Sequence, residues 1–91
     1  MLGPVTADLA THTVTVDGEQ MRLTLTEFRL LVSLIRAKGK ALSRYELMSR
    51  AMGPGVMVTT RTIDVHVAAI RKKLGRFNAM IRTVRGVGYR M

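Results

Sequence analysis

The sequence predicts an α+β domain, with an N-terminal antiparallel β-sheet, three helices and a C-terminal β-hairpin. Three observations predict it. Alternating β-branched stretches flank an Asp17-Gly18 pair near the start and a Gly86-Val87-Gly88 run near the end. Two capping boxes, Thr24 to Glu27 and Ser43 to Glu46, open helical stretches. A third stretch repeats Ile63, Val67, Ile70 and Leu74 at i, i+4, i+7 and i+11, one buried helical face. Ninety-one residues, 47% of them hydrophobic, suffice for one modest core and are too apolar for a disordered chain.

The elements follow in order. A first strand is expected around Val5 to Asp8. Thr13 to Val16 and Met21 to Leu23 alternate, and Asp17-Gly18 between them suits a type I′ turn, which needs positive φ at both positions. A two-residue loop there sets Val14 opposite Met21. Thr24 then caps the first helix, with Leu23 and Phe28 as a hydrophobic staple. Phe28, Leu31, Val32 and Ile35 form its apolar face, widened by Leu30 and Leu34, and the helix ends near Lys38-Gly39. Ser43 caps a short second helix, about Arg44 to Met52, with Leu42 and Leu47 as the staple; Gly53-Pro54-Gly55 stops it. Residues 53–58 read as a loop. Thr59 caps the third helix, with Val58 and Ile63 as staple, and that helix runs to about Leu74 before Gly75. In the C-terminal hairpin, a two-residue turn at Gly86-Val87 would set Val84 opposite Tyr89, with Arg85 at the tip.

Composition excludes several function classes. With no cysteine there is no disulfide framework, thiolate nucleophile or cysteine-based zinc site, and His12 and His66 lie far apart in sequence. No metal or cofactor is expected. Paired acids and a nucleophile–histidine pattern are missing, which argues against an enzyme. The apolar run Leu30 to Ile35 is far short of the roughly 18 residues of a membrane span. Met1 to Ala10 show no signal-peptide pattern, so a soluble, cytoplasmic protein is expected.

Charge points to a polyanion. The chain has 15 basic and 6 acidic residues, net +9. Residues 1–58 hold seven basic and five acidic residues; residues 59–91 hold eight basic residues and one acid, Asp64. A positive field on one part of the molecule attracts polyanions. Two consecutive helices with the second one basic suggest a helix-turn-helix, whose second helix enters the major groove. A hairpin tipped with arginine suits the adjacent minor groove, where the negative potential is strong. The whole reads as a winged helix-turn-helix.

Five blocks in order, Leu25 to Leu31, Leu42 to Arg44, Arg61 to Val67, Arg71 to Leu74 and Arg82 to Arg90, resemble the output domain of OmpR/PhoB-type two-component response regulators. The resemblance runs from about Asp8 to Met91, and Met1 to Pro4 match nothing. It implies one winged-helix output domain over residues 1–91, with helix 59–74 in the major groove of promoter DNA and wing 81–91 on the minor groove. It also implies pairing with a second copy on direct repeats, contact with RNA polymerase through loop 53–58, and a receiver domain in the full-length protein. No receiver domain lies in these residues.

The resemblance gives each residue an expected role. Arg61 is expected on a phosphate, with an intramolecular pair to Asp64 as the structural alternative. Thr62 and Val65 face the groove, Val65 suiting a thymine methyl. Asp64 orients Arg61 or accepts from a cytosine amine, the orienting role being preferred. His66 donates to a phosphate, Arg71 and Lys73 clamp phosphates, and Lys72 is solvated. Thr83 bonds a phosphate, Arg85 enters the minor groove, and Arg44 touches a phosphate near the start of the second helix. Ala68 and Ala69 stand where many family members carry cations, so contacts there are reduced to methyl groups. Met52 replaces a frequent tryptophan. The competing readings are a degenerate winged helix serving as a protein-interaction module and an RNA-binding module, the latter disfavoured by only two Tyr and two Phe.

Overall fold

The computed structural model describes residues 3–53 and 61–91. Strands β1 (Val5–Asp8), β2 (Thr13–Val16) and β3 (Glu19–Met21) form one antiparallel sheet in that order. Helix α1 (Leu25–Arg36) follows, then a two-residue strand β4 (Leu42–Ser43) and helix α2 (Arg44–Met52). Helix α3 (Arg61–Leu74) leads through a 3-10 turn (Gly75–Met80) into strands β5 (Arg82–Val84) and β6 (Gly88–Arg90). The second sheet has the order β4-β6-β5. The expected Thr59 cap, the Val58 staple and loop residues 54–58 lie outside the described residues. Among those described, no helix is long and apolar enough to cross a membrane.

The first hairpin forms as its sequence dictates. Asp17 and Gly18 have φ of 51° and 86°, and Val14 pairs with Met21. The third strand lies at 19–21 rather than 21–23, because a two-residue loop returns the chain to the ladder at Glu19. Both capping boxes close in full. The first helix ends one residue earlier than the glycine suggested. Lys38, with φ of 52°, takes the left-handed position after the Ala37 C-cap, and Gly39 follows it.

The wing corrects an expectation. Val84 faces Gly88, not Tyr89, and Thr83 faces Tyr89. The Val87 N–H donates to the Val84 carbonyl at 3.0 Å, so the turn centres on Arg85-Gly86. Gly86 has φ of 79° at the third turn position, the sign a type II turn needs there. On its other side β6 pairs with β4, setting Leu42 beside Tyr89. A Cβ at Gly88 would collide with the Leu42 carbonyl oxygen, so only glycine admits this close approach. The register decides which residue is buried, since a one-residue slip exchanges the sheet faces.

Helix α1 is central, with Leu30, Leu31 and Leu34 fully buried. Leu42, Leu47, Ile63, Val67 and Ile70 pack into the same cluster. Glu27 has two tasks in this packing. Its Oε1 accepts from the Thr24 N–H at 3.0 Å, completing the cap, and from Lys73 Nζ at 2.6 Å, tying α1 to α3. Burial pushes the Glu27 carboxyl up, but Lys73 and the Thr24 N–H outweigh it and hold it below the usual 4.5. A depressed pKa contributes stability above the unfolded value that is lost as pH falls through the folded one. Glu27→Gln keeps the cap acceptor and removes the charge. We expect it to lower stability at pH 7 by about 1 kcal/mol, roughly 4–8 °C in Tm. The gap to the parent should close as pH falls below the folded Glu27 pKa. Thermal unfolding from pH 7 to pH 3 checks this, and a constant gap would refute the role of the charge.

Candidate nucleic-acid interface

Helix α3 presents four different sides. Ile63, Val67, Ile70 and Leu74 are buried. Two positions earlier in each case, Arg61, Val65, Ala68 and Lys72 repeat the same spacing on the opposite face, and all four are exposed. Two residues turn a helix by about 200°, so core packing aims this second stripe at solvent. Val65 is 64% exposed. Thr62 and Ala69 are half-buried along its edge.

The two flanks are fastened to neighbours. On one flank Asp64 and Arg71, seven residues apart, face α2 and the wing. Asp64 Oδ1 accepts from Arg44 Nε at 2.7 Å and from the Tyr89 hydroxyl at 2.5 Å. Arg71 donates from Nε (3.2 Å) and Nη2 (2.8 Å) to the Ile81 carbonyl, and from Nη2 to Thr83 Oγ1 at 2.8 Å. The guanidinium carbons of Arg44 and Arg71 each lie 5.4 Å from the centre of the Tyr89 ring, within cation–π range. On the other flank Lys73 is paired with Glu27, and the half-buried His66 adds to the field that favours the Glu27 carboxylate.

These contacts set the charge states. The Tyr89 hydroxyl and then Arg44 hold the Asp64 carboxyl below its usual range. Burial, reinforced by Asp64, pushes the Tyr89 hydroxyl up. The Asp64 hydrogen bond raises Arg44 further. At neutral pH Asp64 is therefore an acceptor and Tyr89 a donor.

This geometry gives three of the expected site residues intramolecular partners. Asp64 is hydrogen-bonded to Arg44 and the Tyr89 hydroxyl, which α2 and β6 bring to its flank, while Arg61 acts on it through charge alone. Arg71 is fastened to the wing backbone and Thr83 through Nε and Nη2, which commits part of its guanidinium inside the domain. Lys73, an exposed residue, is ion-paired to a buried carboxylate on α1. Lys72, expected to be merely solvated, is the cation that shares the outward stripe with Arg61. The seven-residue spacings of Asp64 with Arg71 and of His66 with Lys73 were the available signal, since they set each pair on one flank. The Tyr89 hydroxyl had no sequence signal, because its partner is 25 residues away.

The wing adds further cations. Arg85 is exposed at its tip, with Thr83 exposed on β5. Arg82 and Arg90 stand directly opposite each other across the strands, both exposed. Two surface clefts, about 400 and 680 Å³, are lined by other residues than the outward stripe. The exposed face of α3 is thus a ridge, suited to entering a groove in a partner.

Comparison with known proteins agrees with this geometry. Residues 18–91 match the family model described as "Transcriptional regulatory protein, C terminal". The chain is 41% identical over 92 residues to the sensory transduction protein RegX3 of Mycolicibacterium smegmatis, covering 98% of this chain and 40% of that protein. It is 38% identical over 90 residues to the phosphate regulon transcriptional regulatory protein PhoB of Pseudomonas aeruginosa, covering 98% and 39%. The chain therefore spans about two fifths of the length of these relatives. Among solved structures, it resembles the DNA-binding domain of the response regulator AdeR in complex with an intercistronic region. There the TM-score is 0.90 at 35% identity, covering 100% of this chain and 96% of that one. The Klebsiella pneumoniae RstA DNA-binding domain, in complex with the RstA box, gives a TM-score of 0.85 at 29% identity, covering 100% and 93%.

Proposed function

Because the chain belongs to the family of C-terminal domains of transcriptional regulatory proteins, we propose that it is the sequence-specific DNA-binding output domain of a two-component response regulator. The observation that carries this reading is the outward stripe of α3, two cations around two small apolar residues with no acid on it. Arg61 and Lys72 reach phosphates, while Val65 and the Ala68 and Ala69 methyls meet base edges, where thymine offers a methyl group. Thr62 lies beside them at the groove wall. Arg85 enters the minor groove, and Thr83 bonds a phosphate beside it. Arg44, held at the start of α2, faces the backbone. His66 donates to a phosphate from the α1 flank. Arg71, Lys73 and Asp64 act indirectly, by holding α3.

Residues 1–91 serve as one output domain, joined in the full-length protein to a receiver domain. Regulation by phosphorelay, pairing of two copies on direct repeats, contact of loop 53–58 with RNA polymerase and a cytoplasmic location belong to that whole protein. A protein-interaction role for α3 is less well supported, since Val65 and the Ala68 and Ala69 methyls offer only a small apolar area between the cations Arg61 and Lys72.

Selection from random duplexes at fixed salt tests the reading. We expect enrichment of a short motif, repeated about one helical turn apart where two copies bind. Arg85→Ala should lower affinity for the selected duplex by roughly 1–3 kcal/mol and relax preference at the minor-groove positions. Failure to bind duplex DNA at low salt would overturn the proposal. The two alanines make a separate prediction. Ala69→Arg should steepen the dependence of log affinity on log salt by about 0.9, one added phosphate contact. A salt titration of the variant beside the parent measures it, and an unchanged slope would place residue 69 off the backbone.

A further inference from the structure

Asp64 is the single acid among residues 59–91, and it lies on the helix proposed to face DNA. Electrostatics alone would disfavour it there, since a carboxylate repels phosphates. Its contacts suggest what it contributes instead. One oxygen, Oδ1, accepts from Arg44 on α2 and from Tyr89 on β6. The ring of Tyr89 is 5% exposed and lies within reach of the guanidinium groups of both Arg44 and Arg71. Arg71 returns to the wing through the Ile81 carbonyl and Thr83. Helices α2 and α3 and strand β6 thus meet at one hydroxyl and one carboxylate, and Arg71 ties β5 to α3 beside them.

The wing is short, three residues per strand. Thr83 and Tyr89 form its middle rung, and Arg85 is two residues beyond Thr83. At about 3.3 Å per residue the tip stands roughly 7 Å from that rung, so a small tilt at Tyr89 moves Arg85 relative to α3. Groove contacts tolerate little of this, because a binding constellation needs its members held to within about 0.5 Å by supporting contacts.

We propose that Tyr89 and Asp64 are positioning residues for DNA recognition, locking the wing and Arg44 to α3 so that both grooves are read in one fixed register. This rests on the DNA-binding reading above. Asp64 serves specific binding although its charge opposes binding to any duplex. Burial of Tyr89 and the two bonds to Asp64 keep the hydroxyl a donor and the carboxylate an acceptor across the neutral range.

Tyr89→Phe removes the hydroxyl and retains the ring. Asp64→Asn removes the charge and makes the domain more basic. Each is compared with the parent on the selected duplex and on a scrambled duplex of equal length at one salt concentration, with concentrations corrected for the folded, active fraction. Tyr89→Phe should weaken binding to the selected duplex about tenfold, the worth of one hydrogen bond to a charged group, and leave the scrambled duplex within about twofold. Asp64→Asn should weaken the selected duplex while holding or tightening the scrambled one. In an Arg85→Ala background, Tyr89→Phe should have a much smaller effect, because the contact it misplaces is already gone. A merely structural role would lower Tm and the active fraction without changing the ratio of the two affinities. Parent-like affinity of Tyr89→Phe for the selected duplex, or an equal loss on both duplexes, overturns the proposal alone. A parent domain that selects no sequence overturns the DNA-binding reading and this proposal with it.

Discussion

Burial of one face of α3 is the constraint from which the rest follows. Ile63, Val67 and Ile70 are fully buried and Leu74 nearly so. Each such side chain contributes roughly 1.5–3 kcal/mol, so the four together rival the whole stability of a small domain, about 5–15 kcal/mol. The helix cannot rotate about its axis without exposing them. Its opposite stripe is therefore aimed outward by the core, at no cost to the residues that occupy it. The proposed recognition surface needs no pocket and no strained backbone. It is the back of a packing surface.

The charges sort themselves by the same rule. A cation on the outward stripe or the wing tip remains solvated and available. A cation on a flank of α3 meets another element and is taken up in holding the fold, as with Lys73 on Glu27 and Arg71 on the wing. The net positive charge thus overstates the number of cations free to meet a polyanion. It also explains why one acid is tolerated in the most basic part of the chain. Asp64 lies where its neighbours are Arg44 and Tyr89, and its charge is balanced within the domain by Arg44.

Much of the fold was legible because the deciding signals are local. Capping boxes act over three residues, and the Asp17-Gly18 turn over two; both formed as read. The ends of β3 and α1 shifted for local reasons, while the other misplaced features depend on distant partners. Strand β4 is two residues long and has no periodicity to detect; it exists because β6 passes beside it. The wing register was misread because two neighbouring glycines allow either turn, and the choice lies with the contact between Gly88 and Leu42. The 3-10 turn at Gly75–Met80 carries no apolar repeat of its own. In the candidate site, membership of α3 or of the wing was legible for Arg61, Thr62, Val65 and Arg85. Which cations were free was not, since the sequence does not show what faces each flank.

By itself, the sequence determined an α+β fold, where its first two helices begin, which helix is basic and which of its faces is buried. These properties follow from periodicity, capping and composition, all of which act over a few residues. Only the tertiary structure decided how the flanking charges are used. Glu27 and Lys73 are 46 residues apart, Asp64 and Tyr89 are 25 apart, and Arg44 and Asp64 are 20 apart. Pairings over such separations are chosen by the packing of whole elements, because a side chain bonds to what the fold brings within about 3 Å of it and not to its neighbours in the chain.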